Sequence, residues 1–159
     1  MKLVEISEAK SATDFSAGKV LIAEYAANLG IDLCFQNFAE ELESLTEMYI
    51  PPDGCLLIAR IADELVGCVA VRQRDSSTCE MKRLYVQTKY RERGTGRQLA
   101  ETATKCARRL GYTRMILDTL PSMTAAHVLY RSIGFKETSS YYPNPLSGVR
   151  YMVLELDEI

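Results

Sequence analysis

Six consecutive residues, Arg91-Glu92-Arg93-Gly94-Thr95-Gly96, place two glycines and two guanidinium groups between a strand-like run, residues 80–86, and an amphipathic helical stretch. Glycines let backbone N–H groups approach a phosphate closely, and the unpaired N–H groups of a helix's first turn add about half a positive charge there. A guest carrying a diphosphate suits that order of parts, although the same glycine spacing also serves a plain strand-to-helix turn. Two familiar phosphate loops are excluded. Leu99 stands where a dinucleotide-binding fingerprint needs its third glycine, and no Gly-Lys-Ser/Thr follows to make a P-loop. Nucleophilic and metal chemistry find little support. His127 is the single histidine, falls one position off the apolar face of its helix, and is expected to be partly exposed; no metal is expected. The five cysteines, Cys34, Cys55, Cys68, Cys79 and Cys106, form no C-x-x-C pair and lie mostly in apolar runs, which reads as reduced core thiols.

The elements that must hold the loop follow from periodicity and punctuation. A short strand near 3–6 precedes a helix over 14–29 that stops at Gly30, and a second helix gathers Phe35, Phe38, Leu42 and Leu45 on one face. Pro51-Pro52-Asp53-Gly54 ends helical territory, and strands 55–61 and 65–72 make a hairpin through Ala62-Asp63-Glu64. After a turn at Asp75-Ser76-Ser77, a strand over 78–86 enters the glycine loop. Leu99, Ala103, Cys106, Ala107 and Leu110 then stripe a helix that ends at Gly111. Met115-Ile116-Leu117 reads as a buried strand. Ser122 is the expected cap of a helix with Ala126, Leu129, Tyr130 and Ile133 on one face, and Gly134 ends it. Phe135 opens a strand, a turn-rich segment covers 141–148, and a last strand runs over 151–156. With 159 residues the chain suits one domain, 1–159. A net charge of −2 offers no field for nucleic acid or an acidic membrane. Neither a signal-peptide core nor an apolar span of about 20 residues is present, so a cytoplasmic location is expected.

Two motifs in this order resemble the GNAT superfamily of N-acetyltransferases over nearly the whole chain. Arg91, Gly94 and Gly96 match Arg/Gln-x-x-Gly-x-Gly/Ala, and Ala126-x-x-Leu129-Tyr130-x-x-x-Gly134-Phe135 supplies the second. The resemblance implies an α+β fold, a GNAT-type acyl-CoA N-acyltransferase fold with a mixed central sheet flanked by helices. It implies that acetyl-CoA is held by Leu84, Val86, Arg91, Arg93, Gly94, Thr95, Gly96, Arg97 and Tyr130, the strand backbone meeting the pantetheine arm and the loop meeting the pyrophosphate. Lys89, Arg91, Arg93 and Arg97 otherwise read as a solvated basic surface. The chain departs from the pattern at Met123, where the family often carries an asparagine that contacts the cofactor. Tyr141-Tyr142-x-Asn144-Pro145 looks like the mark of a bacterial subgroup.

The implied reaction moves the acetyl group of acetyl-CoA to a primary amine of a small molecule by direct transfer in a ternary complex. An alkylamine with pKa about 10.4 must first lose a proton. By resemblance Glu80 takes it; the plain reading is a solvated glutamate paired with Lys82 or a cross-strand neighbour. The backbone N–H of Leu84 is the implied donor to the oxyanion, and Tyr130 the group near the leaving sulfur, against simple helix packing. Strict alternation sets Glu80, Lys82, Leu84 and Val86 on one face, and a bulge would break that set. Acceptor candidates are Phe35, Gln36, Arg83, Tyr141, Tyr142 and Asn144; Arg83 facing the cleft would suit an acceptor carboxylate. Two other readings stand beside this one: a non-catalytic acyl-CoA sensor, and acetylation of a peptide or protein. The resemblance also allows a homodimer.

Overall fold

A seven-stranded sheet in the order β1-β2-β3-β4-β5-β7-β6 carries the site, in a computed structural model that describes residues 3–30, 33, 37–142 and 146–156. The chain runs β1 (Glu5–Glu8), α1 (Ala12–Leu29), α2 (Phe38–Glu43), α3 (Leu45–Met48), β2 (Cys55–Ile61), β3 (Glu64–Gln73) and β4 (Thr78–Val86). A 3-10 turn (Thr88–Tyr90), α4 (Thr95–Arg109), β5 (Arg114–Thr119), α5 (Thr124–Ile133), β6 (Lys136–Thr138) and β7 (Arg150–Glu155) complete it. This is the expected α+β architecture with a mixed sheet. Among the described residues no helix is long and apolar enough to cross a membrane.

Local chemistry explains most element ends. Ser11 and Asp14 form a capping box, the Ser11 Oγ accepting from Asp14 N at 3.1 Å, and Gly30 closes α1 with φ +69°. The β2–β3 hairpin turns on Ala62 and Asp63, both in the left-handed region. Asp75 Oδ1 accepts from the N–H groups of Ser77 and Thr78, each at 2.9 Å, which folds the turn into β4.

Two expected ends moved. The single second helix is interrupted at Ser44, whose φ of −122° is not helical, so α2 and α3 are separate. Leu42 and Leu45 nevertheless pack into the same apolar cluster, and Phe35 lies outside the described residues. Ser122 does not cap α5. Met123 is its N-cap and makes no side-chain cap bond, because the chain leaves β5 through a turn in which Met123 N donates to Leu120 O.

The sheet separates two apolar layers. On one side, α4 and α5 pack Leu99, Ala103, Cys106, Tyr130 and Phe135 over Leu57, Val69, Met81 and Met115. On the other, α1 to α3 pack Leu21, Ile22, Leu45 and Tyr49 over Leu56, Ile58, Cys68 and Tyr85. Cys55, Cys68, Cys79 and Cys106 are free and buried in these layers, and Cys34 lies outside the described residues.

One feature of β4 opens the molecule. Neighbouring strands are antiparallel throughout except for β4 and β5, which run parallel and pair only from Thr78, Cys79 and Glu80 to Arg114, Met115 and Ile116. Beyond Glu80 the two diverge, because β5 stays paired with β7 as far as Thr119. β4 also bulges against β3: Cys68 faces Tyr85, but Ala70 faces Lys82. Arg83 absorbs the extra residue with φ +61°, so the face that carries Cys79 and Met81 continues as Leu84 and Val86. Glu80 and Lys82 therefore do not share a face with Leu84 and Val86, and strict alternation fails for this physical reason.

Candidate active site

The divergence of β4 and β5 makes a cleft walled by Met81–Leu84 on one lip and Asp118–Leu120 on the other, with Tyr25 and Leu29 of α1 and Met123, Ala126 and Tyr130 of α5 closing its sides. Among the described residues the β5-facing edge of β4 has no strand partner past Glu80, which leaves backbone groups there for an extended guest.

The glycine loop follows β4 through the 3-10 turn, and its Gly96 lies beside Val86, the last residue of that strand. Gly94 has φ +81° and is the N-cap of α4, so it needs the left-handed freedom of glycine. Gly96 has a different reason to be glycine. A Cβ there would meet Leu129 at 3.7 Å and Val86 at 3.9 Å, ordinary contacts, so the protein's own packing does not forbid a side chain. Thr95, between them, is 1% exposed and its Oγ1 has no hydrogen-bond partner. A buried hydroxyl without a partner at a helix N-terminus, beside a glycine with space over it, fits a phosphate-bearing ligand. Arg91 is held by its Nε, which donates to Val86 O at 2.8 Å, and its guanidinium lies 6.0 Å from the Tyr85 ring. That bond engages the Val86 carbonyl, one of the backbone groups expected to meet the cofactor. Arg93 stacks on Tyr90, whereas Arg97 is tied to Glu101 and Ser132 on the helix flank. Among the described residues Arg91 and Arg93 have no carboxylate partner, so they are the members of the basic group left to meet phosphate.

Two carboxylates stand where β4 and β5 part, and Glu80 is not among the residues lining the cleft. Glu80 is 2% exposed; its Oε2 accepts from the Tyr141 hydroxyl at 3.0 Å, and its Oε1 has no hydrogen-bond partner, with Arg74 at 3.8 Å. Asp118 on β5 lines the cleft and accepts from the Tyr142 hydroxyl. Neighbouring tyrosines of the β6–β7 connection thus take one carboxylate each. Burial, reinforced by those carboxylates, raises the pKa of both tyrosines and keeps them donors. Tyr130 is buried edge-on against Phe135 with centroids 5.7 Å apart, and it lines the cleft. Burial raises its pKa as well, and among the described residues its hydroxyl has no partner.

Three comparisons with known proteins bear on this geometry. Residues 23–135 match the family model of the acetyltransferase (GNAT) family. The chain is 42% identical to an uncharacterized N-acetyltransferase of Schizosaccharomyces pombe, over 98% of this chain and 96% of that protein. The chain belongs to the GNAT acetyltransferase family. Its fold agrees with a Streptococcus agalactiae acetyltransferase structure at TM-score 0.78 and 26% identity, covering 96% of this chain and 98% of the other. It also agrees with a Salmonella typhimurium putative acetyltransferase solved with acetyl-CoA, at TM-score 0.74 and 20% identity, covering 99% and 96%. The sequence relative is a fungal protein, and the motif read as a bacterial mark includes Asn144 and Pro145, outside the described residues. The family assignment therefore stands without the subgroup.

Within this GNAT chain the residues expected at the acceptor end divide. Tyr141 and Tyr142 reach the two carboxylates; Phe35, Gln36 and Asn144 lie outside the described residues. Arg83 does reach the cleft wall, but its Nε and Nη2 donate to Glu41 of α2 at 3.0 and 2.6 Å, with both side chains buried. The guanidinium also lies over Phe38 at 5.3 Å and Tyr25 at 6.0 Å. Burial works against both charges, yet the two bonds reverse its effect, raising the pKa of Arg83 and lowering that of Glu41. The carboxylate that Arg83 recognises is the protein's own. His127, expected partly exposed, is buried, with Nε2 2.9 Å from Leu120 O. That bond pins the turn leaving β5 to α5.

Asp118 and Glu41 belong to this arrangement and are not singled out by the sequence reading. Each had a signal. Asp118 is an acid in the otherwise apolar run Met115-Ile116-Leu117, and Glu41 sits three residues from Phe38 and four from Leu45, on the apolar face of its helix. Among the described residues no group of three His, Cys, Asp or Glu side chains is placed to hold a metal.

Proposed function

We propose that this GNAT protein transfers the acetyl group of acetyl-CoA to the primary amine of a small-molecule acceptor, directly in a ternary complex. The observation that carries the reading is the β5-facing edge of β4, unpaired past Glu80 among the described residues, which ends at Val86 beside Gly96, with Tyr130 and Asp118 lining the cleft next to it. Acetyl-CoA, when bound, supplies an activated thioester. Thr95, Gly94, Gly96, Arg91 and Arg93 would hold its phosphates, and the backbone of Leu84 and Val86 its extended arm.

The chain's own groups then have separate tasks. The acceptor arrives as an ammonium, and Glu80 takes its proton by way of water, the Oε1 without a hydrogen-bond partner being the receiving atom. The N–H of Leu84, beside the bulge, faces the charge that grows on the carbonyl oxygen, a role worth about 3 kcal/mol for a preorganised donor. As the carbon–nitrogen bond forms, the carbon–sulfur bond breaks and sulfur keeps the electron pair. A phenol, with pKa near 10 before burial raises it, is a weaker acid than a thiol near 8.5, so Tyr130 stabilises the departing sulfur by donating a hydrogen bond and solvent completes the protonation.

The test is CoA-thiol release over a panel of amino acids, polyamines, aminoglycosides and short peptides, with a no-acceptor control. Acceptor-dependent release by the wild type, cut at least about 100-fold in Glu80→Gln, is expected. Binding of acetyl-CoA with no release across the panel would favour the sensor reading, and release with peptides alone would favour the protein-modifying one.

A further inference from the structure

Glu80 is 2% exposed and is not among the residues that line the cleft, so it can reach an acceptor's proton only through water. Which of its oxygens is free to receive that proton then decides whether it can act. The two oxygens are held differently. Oε2 accepts from the Tyr141 hydroxyl at 3.0 Å, whereas among the described residues Oε1 has no hydrogen-bond partner and lies 3.8 Å from Arg74 Nη1. We propose that Tyr141 is a positioning residue for Glu80: its hydroxyl engages Oε2, fixes the carboxylate and leaves Oε1 as the oxygen that receives the relayed proton. The inference rests on the acetyl-transfer reading, in which Glu80 is the base, and gives Tyr141 this task in place of binding the acceptor.

Tyr141 is itself held in place. Its ring packs edge-on against Tyr151 with centroids 5.1 Å apart and tilted against Tyr142 at 5.3 Å, and Tyr142 and Tyr151 meet at 5.9 Å. Rings in mutual contact leave the phenol few orientations. Tyr151 anchors the group, because it is buried in β7 and paired there with Asp118 of β5. The Arg74 guanidinium lies over the Tyr141 ring at 5.3 Å, so the cation that approaches Oε1 also braces the donor to Oε2. Burial, reinforced by the charges of Glu80 and Asp118, keeps Tyr141 protonated, so it serves as a donor and does not compete as a base.

Other charges reach Glu80 as well. Arg72 is its register partner on β3 and Arg74 follows that strand; Cys79 and Lys82 act on it from β4, Tyr142 from the β6–β7 connection, and Asp118 shares Tyr141 with it from β5. These groups act through charge or register, and the Tyr141 bond engages one named oxygen. The proton balance is that of the parent reaction. The ammonium gives one proton through water to Oε1, the amine attacks the acetyl carbon, and the carbon–sulfur bond breaks with its electron pair on sulfur. The second nitrogen proton passes through solvent to the thiolate, and Tyr141 keeps its own.

The experiment is a double-mutant cycle on the full chain, with Tyr141→Phe, Glu80→Gln and both together, read by thiol release from acetyl-CoA across pH. The phenylalanine keeps the ring and removes only the hydroxyl. Tyr141→Phe should lower kcat roughly 10- to 100-fold, the scale of a misaligned catalytic group, with the KM values for acetyl-CoA and acceptor within about threefold of wild type. A donor to the ionised carboxylate favours that form, so its loss should also move the acidic limb of kcat/KM to higher pH by about one unit. In the Glu80→Gln background the same change should cost less than about threefold. A raised acceptor KM that persists in that background would make Tyr141 an acceptor contact and overturn the proposal, as would an acidic limb that stays in place. Unaltered turnover in Glu80→Gln would remove the base, and this inference with it, while leaving acetyl transfer intact. Absence of thiol release in the wild type would defeat the transfer reading instead. Carbon NMR titration of the Glu80 carboxyl, its signal identified by loss in Glu80→Gln, would then decide this one: a midpoint raised by Tyr141→Phe supports it and a fixed midpoint overturns it.

Discussion

Tyr130 shows how burial sets a side chain's chemical role. Its hydroxyl stays protonated because the charged form would sit in an apolar layer beside Phe135. It can therefore donate to a developing thiolate, and a hydrogen bond to a charged group is worth about 1.5–3 kcal/mol. Tyr130→Phe should lower kcat by roughly 10- to 100-fold while leaving acetyl-CoA affinity within about threefold, read by steady-state thiol release and calorimetry. Equal kinetics would reduce Tyr130 to packing. Glu41 is a second residue whose environment makes a measurable statement. Its partner Arg83 and the Tyr49 hydroxyl, at 2.8 Å, hold it ionised. Removing one member of a buried pair leaves the other charge uncompensated, so Glu41→Gln should cost about 3 kcal/mol at pH 7, moderated by the amide oxygen. The sign with pH follows from the lowered folded-state pKa. The wild-type advantage is full above the ordinary value near 4.5 and shrinks as pH falls through the lowered one. Urea midpoints of both proteins at pH 7 and pH 3 check this, and a gap that widens in acid would contradict it.

The loop and the strand before it work as elements, and the two glycines separate their functions. Gly94 serves the backbone, because a side chain at φ +81° is strained by about 1–2 kcal/mol, so Gly94→Ala should lower stability by that amount. At Gly96 the protein's own packing leaves room for a Cβ, and the proposed role of that position is to leave space for the guest. Gly96→Glu should fold with near wild-type stability and lose acetyl-CoA binding by at least about 100-fold, since bulk and negative charge enter a phosphate cradle. Thermal unfolding with calorimetry on the same sample distinguishes the two outcomes, and tight binding by folded Gly96→Glu would refute the cradle. In β4 the bulge at Arg83 decides which side chains look into the cleft. The pair to Glu41 ties the bulge to α2.

At the scale of the whole molecule, the cleft cuts between the two halves of the sheet, where β4 and β5 share only three paired positions. A ligand lying along that opening bridges both halves, and it should stabilise the fold by mass action. At 100 times the dissociation constant the gain is about 2.7 kcal/mol, which for a chain of this size raises Tm by roughly 5–10 °C. Differential scanning fluorimetry with acetyl-CoA tests it, and a flat response would argue against a ligand along the divergence. The element order and the chemistry of the glycine loop were legible in the sequence because they rest on local rules: spacings of two, three and four, caps such as Ser11 with Asp14, and turn residues such as Asp75. The family was legible for the same reason, its motifs lying within single strand-loop-helix segments. The acceptor end was not. Arg83 meets Glu41 across 42 positions, and Tyr141 meets Glu80 across 61, so no local pattern records either contact. Only the tertiary structure decided them, because β5 follows β7 rather than β4, and that competition between long-range pairings opens the cleft and chooses the groups that face it.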